Sequence, residues 1–159
     1  MKTKRIPKRN KQPSTTSRAP GTTTASKIAR ARHLSFTTGP HAVSSVKQGY
    51  KFSTFSALSH SLAVPHGTLA RVTGISATTL HRREQQGNLG IKESERVYLL
   101  GSLFELAVKV LGSTASARDW FKTPQGALDN ETPLEHSTTL PGADEVRDLL
   151  MAMEYGVYV

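Results

Sequence analysis

The residues best suited to chemistry lie together between Ser76 and Gln86, in the run SATTLHRREQQ. Hydroxyls, an imidazole, a guanidinium and a carboxamide at helical spacing are the groups that hydrogen-bond phosphates and base edges in a major groove. Ser76, Ala77, Thr78, His81, Arg82 and Gln85 are therefore the candidate DNA contacts. Bond-making chemistry has no such cluster. The six histidines (His33, His41, His60, His66, His81, His136) are scattered, none in a pair with metal-ligand spacing backed by a carboxylate, and the chain has no cysteine. No glycine-rich phosphate loop of the GxxxxGK or GxGxxG kind occurs. No catalytic residue, metal or cofactor is expected, and the chain reads as a binding protein rather than an enzyme.

A helix bearing those side chains must be held at a fixed angle, and the preceding residues provide for this. Pro65 suits the start of a helix, where its missing N–H costs nothing. Leu69, Ala70 and Thr73 continue it with an apolar face, and Gly74 supplies the positive φ that ends it. Ile75 plugs the turn and Ser76 is a natural N-cap for a second helix over Ala77 to Gln86. The spacing Ala70-x3-Gly74-x5-Leu80 is that of a helix-turn-helix, with a small residue at the close approach and a branched one in the angle. One position departs. Three residues after Leu80, where the DNA-binding version carries an apolar side chain, stands Arg83. Pairing with Glu84, Glu93 or Glu95 is the alternative use of Arg82 and Arg83.

The motif lies at an electrical seam. Residues 1–83 carry 15 Lys or Arg and no acid, while residues 84–159 carry 6 against 12 Asp or Glu, together the formal +9 of the chain. Residues 1–34 form a basic, Pro-, Ser- and Thr-rich arm, expected to be flexible when alone and to neutralise phosphates on DNA. Ser26 to Leu34 has room for one or two helical turns. The expected domains are that arm, a helix-turn-helix domain over 35–92, and a helical dimerisation and partner-binding domain over 93–159. Between Ser35 and His60 the signals are weak. A short helix from Phe52 to Ser61 is expected, with Phe36, Tyr50, Phe52 and Phe55 in the core. At 36% hydrophobic, part of the 159-residue chain stays out of any core. No apolar run reaches the roughly 18–20 residues a membrane span needs, and no secretory h-region stands at the start. A cytoplasmic protein without a membrane partner is expected.

The back half reads as helices throughout. One begins near Glu93, with Glu93 and Glu95 in its first turn, and runs to Leu111. Val97, Leu100, Phe104, Ala107 and Leu111 make one apolar stripe, and Leu99, Leu103, Leu106 and Val110 a second. A helix apolar on two sides is expected to be buried on both, against its own chain and against a second copy or the partner domain, with a homodimer the favoured arrangement. Ala117, Trp120 and Phe121 mark the next helix from Thr114, and Pro124 and Gly126 break it. Thr132-Pro133 opens a short helix over Leu134 to His136. The last helix is expected from Gly142, with Asp144 and Glu145 in its first turn and Val146, Leu149, Leu150 and Met153 as its apolar stripe. Gly156 ends it. The closing residues Tyr155, Gly156, Val157, Tyr158 and Val159 are apolar, suited to folding back on the core or to plugging a partner's pocket.

These features converge on one resemblance. The order ATTLHRREQQGNLGIKESERVYLL, AVKVLGSTASARDWFKTPQGAL and TPLEHSTTLPGADEVRDLLMAMEYG resembles the Xre/MbcA/ParS antitoxin family, over about residues 62–156. The resemblance implies an all-α protein, a helix-turn-helix domain followed by a small helical toxin-binding domain. It further implies a partner toxin of the RES fold that destroys NAD, repression of the chain's own operon through operator DNA, and a homodimer within a larger hetero-oligomer. Carried over by position, the toxin-facing residues are Trp120, Thr132 and Leu134 with the helix ending at Gly156. The tail residues Tyr155, Val157, Tyr158 and Val159 are the candidate occluding element. Where the family often has a glycine pair before Thr-Pro, this chain has Asp129, Asn130 and Glu131. The alternatives are a dimeric helix-turn-helix regulator without a toxin partner and a basic nucleoid-associated protein without sequence preference.

Overall fold

The computed structural model describes Phe36 and residues 40–156, and every regular element among them is a helix. In chain order these are α1 (Pro40–Gln48), α2 (Phe52–Leu62), α3 (His66–Val72), α4 (Ala77–Gln86), α5 (Ile91–Leu111), α6 (Thr114–Lys122), a 3₁₀ turn (Gly126–Leu128), α7 (Pro133–His136) and α8 (Leu140–Glu154). The all-α class is as expected. No helix among the described residues is long and apolar enough to cross a membrane by itself.

With 21 residues at 1.5 Å each, α5 is a rod about 30 Å long. The others gather on it: α1, α2, α6 and α8 all pack against it. Val97, Leu100, Phe104 and Ala107 of its first apolar stripe are buried, as is Leu103 of the second. Leu99, Leu106 and Val110 stay half-buried, so one chain covers only part of the second stripe. The helix starts at Ile91, earlier than its acidic residues suggest. Gly90 is the N-cap, Glu93 is the third helical residue, and its carboxylate accepts the Gly90 N–H. Glu95 thus falls beyond the first turn.

Two features precede the helix pair and were not legible in the sequence. The first is α1, whose PHAVSSVKQ turns only Ala42 and Val46 partly inward, one helical turn apart, and leaves Val43 57% exposed. Packing on α5 holds it, as most short helices are held by tertiary contact. The second is a clip. Leu89 N–H donates to the Tyr50 carbonyl (2.7 Å) and Phe52 N–H to the Gly87 carbonyl (2.9 Å), around an isolated antiparallel bridge between Lys51 and Asn88. Gly49 makes room for it, since at its φ of +81° a Cβ would collide with the Leu89 carbonyl. Ser94, fully buried, accepts the Tyr50 N–H (2.8 Å) and donates to the Gly90 carbonyl (2.8 Å). The chain entering α2 is thereby tied to the chain leaving α4.

The expected core aromatics are in place. Phe52 and Phe55 stack at 5.5 Å and both are buried. Phe36 lies over Gly101, filling the space a Cβ would need, with its ring edge-on to Tyr50 and Tyr98. Its N–H donates to Glu105 (2.7 Å), which fixes residue 36 against the second half of α5.

Between α5 and α6 the chain turns through 117°, across Gly112 at φ +78°. Ala117 and Phe121 of α6, Leu128, Pro133 and Leu134, and Ala143, Val146 and Leu150 of α8 close the second part of the core. Each fully buried Leu or Val there is worth on the order of 1.5–3 kcal/mol over an exposed one. The last helix begins at Leu140 rather than Gly142. Thr139 is its N-cap, accepting the Gly142 N–H (3.1 Å), and Pro141 sits in the first turn where no N–H is required. Asp144 and Glu145 consequently belong to the second turn, not the first.

Candidate nucleic-acid and protein interfaces

The helix pair owes its angle to a small apolar centre. Leu69, Ala70, Val72 and Ile75 are buried, Leu80 of α4 is half-buried beside them, and Ile75 N–H reaches the Ala70 carbonyl at 2.7 Å. Thr73 turns its hydroxyl back to the Leu69 carbonyl (2.8 Å), so this buried polar group is satisfied. Gly74 takes φ +69° with open space around it, a position that needs glycine for its backbone rather than for room. Ser76 accepts the Thr79 N–H (3.2 Å) and starts α4, as its type and place lead one to expect.

Nothing on α4 is buried. Ser76, Ala77, Thr78, His81, Arg82 and Gln85 are all exposed, so the structure brings the six candidate DNA contacts onto one accessible element. His81 and Gln85 face each other across one turn at 3.1 Å. Arg82 makes no ion pair among the described residues. Arg83 differs. Its Nε contacts both carboxylate oxygens of Glu93 at 2.8 and 3.1 Å, and Nη1 donates to Gln86 (3.1 Å). Of the two arginines, Arg83 is the structural one.

In the second half, Trp120 is half-buried and edge-on to Phe121 at 5.4 Å. Thr132 is half-buried and caps α7, accepting the Glu135 N–H (3.2 Å). Leu134 faces the core at 5% exposure, and Tyr155 lies 73% exposed at the end of α8. Gly156 follows with φ +69°. Val157, Tyr158 and Val159 lie outside the described residues, as does the expected basic arm 1–34 with its helical turns at Ser26 to Leu34. Ahead of Thr132, Asp129 and Asn130 both take left-handed backbone, φ +53° and +61°. The loop thus adopts the conformation a glycine pair would favour, using the two residue types besides glycine that tolerate it best. Gly142 is held tightly too, since a Cβ would strike the His136 carbonyl.

Sequence reasoning missed one cluster here. His136 Nδ1 lies 2.9 Å from Glu131 and Nε2 2.7 Å from Glu145, joining the loop, α7 and α8 through one imidazole. Hydrogen bonds to Glu145 and then Glu131 raise its pKa above the ordinary 6.5, outweighing the opposing effect of burial. Intervals of five and nine residues match no helical period across a loop, so only the tertiary fold announces it.

Two family models match the chain. The Antitoxin Xre-like helix-turn-helix domain matches residues 41–101, and the Antitoxin Xre/MbcA/ParS C-terminal toxin-binding domain matches residues 106–156. Relatives named Antitoxin Xre are similar over much of their length. That of Yersinia enterocolitica is 30% identical over 122 residues, 76% of this chain and 82% of the relative. That of Photorhabdus laumondii is 26% identical over 121 residues, 75% and 82%. That of Pseudomonas putida is 27% identical over 79 residues, half of each. With the helix pair, the capped Thr-Pro turn and the two matched segments in order, the chain belongs to the Xre antitoxin family.

Proposed function

We propose that this chain neutralises a RES-fold toxin that degrades NAD and represses its own operon. The observation that carries the operator half is α4: ten residues, none buried, fixed at one end by Ser76 and at the other by the Arg83–Glu93 pair. A helix so exposed and so firmly mounted contributes little to a core. It suits entry into a groove, with Arg82 and Thr78 among its contacts. The toxin half rests on α6, the loop from Asp129 to Thr132 and the end of α8, where Trp120 and Tyr155 offer aromatic area of the kind that anchors interfaces. Leu134 contributes by seating that loop. The apolar tail beyond Tyr155 is the element that occludes the toxin's nucleotide pocket. The half-buried Leu99, Leu106 and Val110 favour a homodimer across α5, within a larger complex with toxin, in the cytoplasm.

Co-expression with the adjacent gene, followed by co-purification and measurement of cellular NAD, tests this reading. A stable complex with preserved NAD is expected, and loss of NAD protection on deleting residues 156–159. No complex with a RES-fold neighbour would sink the toxin reading. A footprint over the chain's own promoter that is lost with Arg82→Ala supports the operator half; an unchanged footprint would remove α4 from it.

A further inference from the structure

A cleft of about 500 Å³ opens where α2 ends and α3 begins, and Arg118 of α6 forms part of its wall. Its polar lining consists of Ser56, Ser59, His60, His66 and Arg118, with no carboxylate. The donors are already placed. Arg118 Nε donates to the Ser61 carbonyl (3.0 Å), which orients the guanidinium and leaves its two Nη groups without a hydrogen bond or ion pair among the described residues. The His66 ring is set edge-on to Phe52 and near edge-on to Phe55, at 5.8 and 5.5 Å. Ser59 is committed to the Val64 carbonyl (2.6 Å) and holds the corner itself. An open recess with a guanidinium fork, two imidazoles and no acid suits an anion with more than one acceptor oxygen.

Its place in the fold selects the anion. Pro65 and His66 line the cleft and also begin α3, the first helix of the pair. When the second helix of such a pair enters a groove, the first crosses the sugar–phosphate backbone. A partner's carboxylate would satisfy the same donors, but only a phosphate backbone passes the start of α3 with α4 in a groove. We propose that this cleft seats a backbone phosphate of bound DNA, with Arg118 as its principal donor. The inference rests on reading α4 as the groove-entering helix. It places a phosphate contact on α6, inside the segment matched by the toxin-binding model and two residues from Trp120. Operator and toxin then meet on one helix.

The test uses the full-length chain and a duplex carrying its own promoter, titrated over a range of salt. Arg118→Gln should weaken binding several-fold and lower the slope of log affinity against log salt by about one, the share of one phosphate. Arg118→Lys should restore most of that slope. His60→Glu places a carboxylate at an exposed lining residue without removing a structural bond, so it should weaken binding even if Arg118→Gln folds poorly. Arg118→Gln and His60→Glu should still co-purify with the toxin. Unchanged slopes in both, with Arg82→Ala still lowering affinity, would overturn the phosphate seat and leave α4 as reader. So would variants that lose the toxin and keep the DNA, which marks the cleft as a protein contact. If the chain does not bind the promoter duplex at all, the seat falls together with the operator reading.

Discussion

Arg83 Nε lies 2.8 Å from a carboxylate oxygen of Glu93, which joins the last turn of α4 to the first turn of α5. Both side chains are mostly covered, at 23% and 16% exposure, and Glu93 also accepts the Gly90 N–H that opens α5. The position where a helix-turn-helix ordinarily inserts an apolar group is therefore filled by an arginine stem whose charge is cancelled in place. That exchange keeps the mounting of α4 while tying it to the central rod.

Arg83→Ala should lower stability by about 1–2 kcal/mol, below the cost at a fully dry site because water still reaches the pair. Urea denaturation of Arg83→Ala, Glu93→Gln and the double variant checks this. The double variant should cost less than the two singles together; simple additivity would show that the pair does not act as a unit.

The imidazole of His136 makes stability depend on pH with a definite sign. Its folded pKa is raised above 6.5, so its bridge to Glu145 and Glu131 stabilises fully below that value and fades as pH rises through the folded pKa. The stability difference between the natural chain and His136→Gln should be larger near about pH 5.5 than near about pH 9. Denaturant midpoints at the two pH values measure it, and a difference that grows toward alkali would exclude the bridge as its source.

A methyl group at residue 142 has nowhere to go. Gly142→Ala should cost about 1–3 kcal/mol as the start of α8 shifts away from the His136 carbonyl, despite the better helix propensity of alanine. Thermal melting reports the loss. Toxin co-purification should weaken in the same variant, because α7, which Thr132 caps, packs against the displaced helix.

How much of this was legible follows from where each signal lies. Ala70, Gly74, Ile75 and Ser76 are close in sequence and each acts on its neighbours, so the helix pair and its cap were readable. The stripe Val146, Leu149, Leu150 and Met153 gave α8, but Thr139-Leu140-Pro141 lies ahead of that stripe and so carried no periodic signal for its first turn. Helix α1 has only Ala42 and Val46 for an inward face, too little to read from sequence, and α5 supplies the reason for it to fold. The departure at Arg83 was visible and Glu93 stood among its three possible partners; the choice of Glu93, across a turn, needed the fold. The His136 bridge and the Arg118 cleft join residues many positions apart and exist only in three dimensions.

Left-handed backbone at Asp129 and Asn130 sets the approach to the Thr-Pro turn. Asn130→Val should cost about 1–2 kcal/mol, because a β-branched side chain is strained at φ +61°. Asn130→Gly should not lower stability. Paired thermal melts distinguish the two, and equal losses would show that side-chain contacts, not backbone conformation, govern the site.

The α5 rod runs through the junction of the two matched segments: the helix-turn-helix match ends at residue 101 and the toxin-binding match begins at residue 106, both within Ile91–Leu111. The two halves therefore share a rotational phase. One residue inserted near Ser102 would turn everything after it by about 100° relative to everything before it, whatever the quality of each half. Exchanging halves between relatives would succeed only when the splice preserves the helical count, so the two matched segments can be recombined by cutting in register and not by cutting as at a linker.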